Sequence, residues 1–482
     1  MRLQLQSQVV KNRIHKQFKM SSIRVKSRRV LLRDNGTIGP AVVEIVNGKI
    51  FRIVEGDKYS GPWDEAKDID AGQYLVMPGI VDSHVHVNEP GRTEWEGYET
   101  ATKAAAAGGI TTIVDMPLNC IPSTVSLDAF RTKLIYAAEM AHVDVAFWGG
   151  VIPGNELELK PMIREGIAGF KCFLIHSGVD EFPHVTEDDL HKAMKELQGT
   201  DSVLLFHAEV ETDLQPDDNL TAPTAYETFL KSRPKAMENE AIRLVAKLCL
   251  QYRVPCHIVH LSSAEALPII LDARKQGAPI TVETCHHYLS LDAETVPSGA
   301  TQFKCCPPIR EHENQARLWS AVTSGDIDMI VSDHSPCTAD LKLTQEGDFM
   351  KAWGGISSLQ FGLSLFWTGS RNRGMHIHEL VRLMCERTAQ LAGLADSKGQ
   401  LKVGMDGDLV IWDPEAEFQV TRDKIQHRNK LTPYEGKVLK GVVHKTLVRG
   451  QVVYDGGRHS GKPLGKLLFR GTAGGQSASP KH

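Results

Sequence analysis

The chain has 482 residues, 41% of them hydrophobic, which is enough to bury the core of one large domain with an appendage or of two to three domains. The formal net charge of −4 and the isoelectric point of about 6.6 give no electrostatic case for nucleic-acid or membrane partners. No run approaches the roughly 18 consecutive apolar residues of a membrane-spanning helix. The nine cysteines are scattered without a CxxC pair, which favours reduced thiols over a disulfide framework. Composition therefore favours an ordinary soluble enzyme.

Both ends of the chain differ from the rest in composition. The first 33 residues contain no Asp or Glu but ten Lys and Arg, from Arg2 to Arg33. Acid-poor, Arg-bearing leaders are typical of mitochondrial transit peptides, although serine is scarce before Met20. We predict a basic leader over residues 1–20 and prefer a mitochondrial location, with a cytoplasmic protein carrying a basic extension as the alternative. Residues 461–482 are predicted to be a disordered tail.

Two segments rich in β-branched residues flank the centre of the chain. Residues 21–77 contain the pairs Asn35-Gly36 and Asn47-Gly48, which are typical of tight hairpin turns between strands. Strand-like runs rich in β-branched residues occur again over residues 400–460, in Leu409–Trp412 and Gly441–Val448. We therefore predict one small β-sandwich domain formed from both termini.

Residues 78–399 alternate strand-like apolar runs with helical ones, such as Glu99–Ala107 and Ala241–Gln251. The predicted strands are Ile80–Val87, Thr111–Met116, Val143–Val151, Gly169–Ile175, Val203–Val210, Cys256–Leu261, Ile280–Thr284 and Met329–Ser332. Eight such runs separated by helices predict an α/β fold of the (β/α)₈ TIM-barrel class. A doubly wound open sheet is the alternative.

His84 and His86 are two residues apart in the first of these strands, so their side chains point the same way and can bind one metal ion. Catalytic groups of a barrel gather at the carboxyl ends of its strands. Further candidates at such positions are Lys171, His207, His260 and Asp333. Each of these alone could be a hydrogen-bonded structural residue, but together they predict a metal centre.

Lys171 lies in the apolar strand Gly169–Ile175, where an unpaired ammonium group is costly to desolvate. Burial lowers the pKa of a lysine, and the neutral amine can add carbon dioxide to become an anionic carbamate that bridges two cations. The alternative is an amine that reaches the barrel mouth or pairs with an acid.

This residue set resembles that of the binuclear metal-dependent amidohydrolases that open cyclic amides, over about residues 23–456. The resemblance implies that two zinc ions share a carboxylated Lys171 and that Asp333 transfers protons. It also implies a homotetramer acting on a small molecule. The implied metal ligands, all present here, are His84, His86, Lys171, His207, His260 and Asp333.

Within that family, four segments look like those of allantoinases: His84–Arg92, Asp115–Asn119, Val331–Cys337 and Ala352–Ile356. Dihydroorotases carry an arginine for the substrate carboxylate where Asn88 stands here. The resemblance therefore implies zinc-dependent opening of allantoin to allantoate in purine degradation. Dihydropyrimidinase, hydantoinase or dihydroorotase activity is the alternative, as is a non-catalytic scaffold of the same fold.

Several other polar residues near these motifs could bind substrate or serve structure. The candidates for substrate contact are Asn88, Asn119, His334 and Ser335. The two asparagines could equally be turn residues, and His334 and Ser335 could equally be structural supports. His286 and His287 compete for the fourth histidine position, which the resemblance assigns to His260.

Overall fold

A computed structural model of the chain describes residues 21–32, 36–56, 58–212 and 222–471. The predicted leader, residues 1–20, lies outside the described residues. Arg24 and Lys26, part of the basic N-terminal stretch, belong to the first strand and pair with Asp68 and Asp70. No helix among the described residues is long and apolar enough to cross a membrane.

The central part of the chain folds as the predicted (β/α)₈ barrel. Its strands are β6 (Ile80–Val85), β7 (Ile110–Asp115), β8 (Asp144–Phe147), β9 (Gly149–Gly150), β10 (Gly169–Phe173), β11 (Val203–His207), β12 (Cys256–Ile258), β13 (Ile280–Cys285) and β14 (Met329–Val331). They form two parallel sheets in chain order, β6-β7-β8 and β9-β10-β11-β12-β13-β14. A parallel bridge between Val85, in β6, and His334, just after β14, brings the first and last strands of the series together, as a barrel requires.

The third predicted strand, Val143–Val151, is interrupted at Trp148. Its first half, β8, pairs with β7, and its second half, β9, pairs with β10. Beside β8, the C-terminal segment supplies the missing neighbour, since Val145 N–H donates to Lys466 O at 2.9 Å and Leu468 N–H donates to Val145 O at 2.8 Å. The expectation of a disordered tail from residue 461 is therefore wrong for residues 461–471.

Helices follow the barrel strands and cover the outside of the barrel. They are α1 (Tyr98–Ala107), α2 (Leu127–Ala138), α3 (Leu159–Glu165), α4 (Glu187–Leu197), α5 (Tyr226–Ser232), α6 (Lys235–Tyr252), α7 (Leu267–Lys275), α8 (His286–Ser290), α9 (His312–Ser324), α10 (Gly362–Arg371), α11 (Ile377–Val381) and α12 (Arg387–Leu391). The strands are buried on both faces, which explains why their sequences read as continuous apolar runs.

Strands from both β-rich segments join in one continuous nine-stranded sheet, and the predicted sandwich stays a prediction. The strands are β1 (Ser22–Leu31), β2 (Ile38–Val46), β3 (Lys49–Glu55), β4 (Ile69–Asp70), β5 (Leu75–Pro78), β15 (Leu409–Gln419), β16 (Val438–Val448), β17 (Gln451–Asp455) and β18 (Arg458–His459). The spatial order is β18-β17-β16-β15-β5-β1-β2-β3, with β4 beside β1. Asn47 and Gly48, both at positive φ, form the predicted turn between β2 and β3.

The sheet has its own apolar cluster, which includes Val25, Val43, Leu409 and Leu447. It meets the barrel through β5, which pairs with β15 and continues through Gly79 into β6. A side chain at Gly79 would collide with Thr111, because its Cβ would lie 2.2 Å from the Thr111 Oγ1. The close approach of these two strands therefore requires glycine. The domain boundaries at residues 77/78 and 399/400 stay predictions.

Candidate active site

The structure brings all six predicted metal ligands together inside the barrel. His84 is on β6, Lys171 on β10 and His207 on β11, while His86, His260 and Asp333 follow the ends of their strands. Each side chain is buried. Residues separated by up to 249 positions in the sequence therefore share one site, as the ends of barrel strands allow.

One half of the site consists of His84, His86 and Asp333. Asp333 Oδ1 lies 3.1 Å from His84 Nε2 and 3.5 Å from His86 Nε2. Donor atoms of these three residues lie within 4.8 Å of one another, as the ligands of one metal ion must. Lys171 Nζ lies 3.2 Å from His84 Nε2, at the edge of this half.

The other half consists of His207 and His260. Their facing atoms, His207 Nδ1 and His260 Nε2, are 3.0 Å apart. His207 stacks on Phe173 with a centroid distance of 4.4 Å, and the rings of His84 and His260 are 5.5 Å apart. The two halves are therefore neighbours, with Lys171 beside them.

Burial sets the protonation of most of these groups. It lowers the pKa of His86 to about 3, lowers that of His207, and lowers that of His260 well below the usual 6.5. The same burial lowers the pKa of Lys171 to about 8, against the charges of Asp333 and Glu283. The three imidazoles are therefore neutral near pH 7, as metal ligands must be, and a share of Lys171 is a free amine.

His84 and Asp333 shift the other way. Burial and Lys171 lower the pKa of His84, but the carboxylates of Asp333 and Glu283 outweigh them and raise it. Burial raises the pKa of Asp333, but His84 and His86 lower it well below 3.8. Asp333 is therefore a carboxylate at neutral pH, and it concentrates negative charge between the two imidazoles.

Several site residues adopt left-handed backbone conformations that non-glycine residues rarely take. The φ angles are 38° at His260, 44° at Asp333, 67° at Asn88 and 68° at Asn119. Such strain persists only where surrounding structure enforces it, and it concentrates at functional sites. Four of the eight non-glycine residues at positive φ in the described part of the chain are thus sequence-predicted site residues.

Two carboxylates that sequence reasoning missed lie directly behind the ligand imidazoles. Glu283 Oε1 lies 2.5 Å from His84 Nδ1, and Glu209 Oε2 lies 2.7 Å from His207 Nε2. Both are fully buried. The sequence does offer one signal for these two glutamates, which is their position in the apolar strand runs Ile280–Cys285 and Val203–Val210. A carboxylate buried in such a strand needs a hydrogen-bonding or charged partner.

Asn119 contacts a ligand rather than open space. Its Nδ2 lies 3.4 Å from His86 Nδ1, while its buried Oδ1 has no hydrogen-bond partner among the described residues. A half-turn of the amide brings Oδ1 to that position, where it accepts the Nδ1 proton and leaves His86 Nε2 free. Asn88 donates to Pro336 O at 3.2 Å, and its buried Oδ1 likewise lacks a described partner.

His334 lies away from the ligands although it follows Asp333 in the chain. Its ring is fully buried, Nε2 lies 3.2 Å from Glu96 Oε2, and Nδ1 accepts the Ser358 N–H at 3.2 Å. Both nitrogens are used, so the structure favours the structural alternative for His334. Ser335 is nearly buried, and its backbone N–H donates to Ile356 O.

The competing histidines separate in space. His286 packs against helix α10, where a side chain at Gly362 would meet its Nε2 at 2.6 Å. His287 lies beside the site, with donor atoms of Cys285, His287 and Asp333 within 4.8 Å of one another. His260 faces His207 directly, which agrees with its assignment as the fourth histidine, whereas His287 stays a neighbouring donor.

The chemistry of the donor set fits zinc. In the neutral form that a metal ligand requires, His84 Nδ1 and His207 Nε2 can donate to the carboxylates that they face, which leaves the opposite nitrogens as lone pairs towards the site. Imidazole nitrogens with carboxylate oxygens are ligands that zinc prefers.

A second group of carboxylates that could hold a metal ion by geometry is Asp144, Asp406 and Asp408, but these three residues already surround the ammonium of Lys398.

Known proteins similar to this chain agree with the geometry. The Amidohydrolase family matches residues 75–453. The protein named "Allantoinase, mitochondrial" from Aquarana catesbeiana is 58% identical over 80% of this chain and 78% of its own, and the allantoinase of Saccharomyces cerevisiae is 46% identical over 90% and 96%. The solved L-hydantoinase (dihydropyrimidinase) of Arthrobacter aurescens has a TM-score of 0.86 and 31% identity, covering 93% of this chain and 99% of its own.

The family match spans most of the chain, and relatives far above 30% identity align over most of their length. The solved hydantoinase shares the arrangement of barrel and β-rich unit along almost all of both chains. The chain therefore belongs to the amidohydrolase family, in which the allantoinases are the relatives that it resembles over most of its length.

Proposed function

We propose that this protein is an allantoinase, which hydrolyses a ring amide of allantoin to give allantoate. The observation that carries the proposal is the buried, converging set of His84, His86, His207, His260 and Asp333 in a chain whose relatives named allantoinase match over most of its length. The same set argues against a non-catalytic scaffold, because every ligand position is filled.

The metal ligands follow from the two halves of the site. His84, His86 and Asp333 would hold one divalent ion, His207 and His260 the second, and a carboxylated Lys171 would bridge them. Zinc is the expected metal. When bound, the ions supply Lewis acidity, which makes water acidic enough to act as a nucleophile near neutral pH.

The residues of the chain supply the proton transfers. Asp333, ionised at neutral pH and beside both imidazoles, accepts the proton of the attacking water. It then returns that proton to the departing amide nitrogen, which is otherwise a poor leaving group. Burial of the site excludes bulk water, which strengthens the electrostatic interactions there.

The polar atoms around the site favour a neutral ring over a carboxylate-bearing one. Asn88 occupies the position at which dihydroorotases carry arginine, and its buried Oδ1 accepts no hydrogen bond from the described residues. A carbonyl oxygen of this kind accepts N–H groups, such as those of a ureido arm, and repels a carboxylate. We propose Asn88 as a substrate contact and Asn119 mainly as the partner of His86. Ser335 stays a candidate contact.

Hydantoinase or dihydropyrimidinase activity is the second candidate, because the solved L-hydantoinase superposes with a TM-score of 0.86. A panel of allantoin, hydantoin, dihydrouracil and dihydroorotate discriminates these activities. Preferred hydrolysis of allantoin supports the proposal, and preferred hydrolysis of another ring would replace it.

The mutation Lys171→Ala tests the metal centre itself. We expect it to reduce the metal content below two ions per chain and to lower allantoin hydrolysis by at least about 100-fold, because the bridging anion is lost. Acetate, which can occupy the space and replace the carboxylate, should restore part of the activity. Metal analysis and a hydrolysis assay with and without acetate measure both effects.

Lys133→Met is a matched control for Lys171→Ala. Lys133 is equally buried, but its Nζ pairs with Asp115 at 2.7 Å, away from the ligands. This variant should keep its metal and show no response to acetate. Full activity of Lys171→Ala would reject the bridging role.

We also propose a mitochondrial location and a homotetrameric state. The location is supported by the acid-free basic leader and by the name of the Aquarana catesbeiana relative. The tetramer is supported by the family resemblance alone.

A further inference from the structure

The two carboxylates behind the site occupy equivalent positions on different sides of it. Glu283, on β13, contacts His84 Nδ1 at 2.5 Å, and Glu209, just after β11, contacts His207 Nε2 at 2.7 Å. His84 belongs to the half with Asp333, and His207 belongs to the half with His260. Each half of the proposed centre thus has one imidazole with a carboxylate behind it.

We propose that Glu283 and Glu209 are positioning residues, each of which fixes the tautomer of one histidine ligand and thereby sets the affinity for one of the two metal ions. The inference rests on the proposed binuclear centre. A neutral imidazole has a single N–H, and a carboxylate that accepts it leaves the opposite nitrogen as a lone pair for the metal. The carboxylate also makes that nitrogen more basic and holds the ring plane.

Glu283 has further contacts with His257 of β12 and with His260, which follows that strand closely. Its Oε1 accepts the backbone N–H of His260 at 3.3 Å, and its Oε2 lies 3.1 Å from His257 Nε2. His257 in turn lies 2.7 Å from Thr281 Oγ1. The His260 contact is with the backbone N–H and not with the ring, so among the proposed ligands Glu283 fixes the tautomer of His84 alone.

Glu209 is compensated differently. Its Oε2 accepts from both His207 and Arg233, whose Nη1 lies 2.5 Å away. No arginine or lysine is in hydrogen-bonding contact with Glu283 among the described residues, and its side-chain partners there are the imidazoles of His84 and His257. Since an adjacent guanidinium weakens the pull of a carboxylate on its imidazole, we expect loss of Glu283 to have the larger effect.

Glutamine and leucine separate charge from hydrogen bonding. In Glu283→Gln and Glu209→Gln the amide oxygen can still accept the imidazole N–H, whereas in Glu283→Leu and Glu209→Leu nothing accepts it. We expect the affinity for one ion to fall by about 10-fold with glutamine and about 100-fold with leucine, the range known for such outer partners. A merely structural role would not grade metal affinity in this way.

Glu96→Leu is the matched control. Glu96 is also fully buried and lies 3.2 Å from the Nε2 of a histidine, but that histidine, His334, is not a proposed ligand. The variant should lose stability and keep two tightly bound ions. Unfolding of each metal-free variant shows whether it folds.

The experiment is titration of each metal-free protein with Zn²⁺ in competition with a chelator. We expect two tight ions in the wild type, one in Glu283→Leu, one in Glu209→Leu and none in the double variant. Two tight ions in either single variant, or one in the double variant, would overturn the inference. A wild-type chain that binds no zinc would instead refute the proposed metal centre.

Discussion

Replacing Lys398 by methionine should destabilise the fold more than any exposed ion pair can. The Lys398 ammonium lies 2.5 Å from Asp144, 2.9 Å from Asp406 and 2.7 Å from Asp408, and its side chain is fully buried. Arg449 would still pair with Asp144, but Asp408 would lose its cation. Breaking a buried ion pair on one side costs about 3–5 kcal/mol, so we expect a loss of that size in the free energy of unfolding.

Urea unfolding measures the effect, with Lys160→Met as the comparison. Lys160 contacts Glu196 at 2.8 Å, but its side chain is half exposed, so its loss should cost at most about 1 kcal/mol. Adding Asp408→Asn to Lys398→Met should restore part of the stability, because it removes the unpaired charge. Equal stability of Lys398→Met and Lys160→Met would refute the argument that this buried cluster contributes more to stability than an exposed ion pair.

Two further predictions concern acid and the C-terminal segment. Burial lowers the pKa of His427 to about 3 from 6.5. Between these two pH values the imidazole is protonated in the unfolded chain but neutral in the folded chain, so the free energy of unfolding decreases as the pH falls from 6.5 towards 3. The loss is about 2 kcal/mol at pH 5, and His427→Phe should remove it in unfolding measurements at pH 7 and 5; an unchanged difference would contradict this. Deleting residues 461–482 removes the half-buried Leu467, Leu468 and Phe469, and should cost about 3 kcal/mol in urea unfolding. Wild-type stability of the deletion would contradict the packing role of this segment.

The eight barrel strands could be predicted because each is a local signal. A strand buried on both faces is a short apolar run, and helices with a different period separate the runs. The Asn47-Gly48 turn is equally local, since it depends on two residues that tolerate positive φ. The residues that close this turn are neighbours in sequence, so no distant contact is needed to specify it.

The break in the third strand could not be predicted in this way. Trp148 Nε1 donates to Ser83 O at 2.8 Å, and the space beside Gly149 is filled by Phe170. The pairing of Val145 with Leu467 joins residues more than 300 positions apart. A strand pattern records which residues are buried but not which distant segment covers them, so the composition of the C-terminal segment predicts only a tail.

The residues of the site also divide into those that a local sequence pattern predicts and those that only long-range contacts reveal. The His84–His86 pair and the ends of the strands mark ligand candidates locally, but Glu283 and Glu209 become meaningful only when their contacts with His84 and His207 are known. His334 shows the converse, because its position next to Asp333 suggests the substrate while its ring bonds to Glu96. Adjacency in sequence is a poor guide here, since neighbours leave a strand end in different directions.

Charge balance gives the carboxylates behind the ligand imidazoles, Glu283 and Glu209, a role in the proposed metal centre. In the proposed centre, two divalent ions would bring four positive charges into a buried site whose four imidazoles would bind them in the neutral form, and desolvating unbalanced charge is very costly. Asp333 and the proposed carbamate on Lys171 would supply two negative charges, and Glu283 adds a third behind His84, whereas the charge of Glu209 is shared with Arg233. A centre built from the ligands alone would remain strongly cationic. Glu283 therefore supplies negative charge that the ligand set alone lacks, whereas Glu209, paired with Arg233, acts mainly by fixing the tautomer of His207.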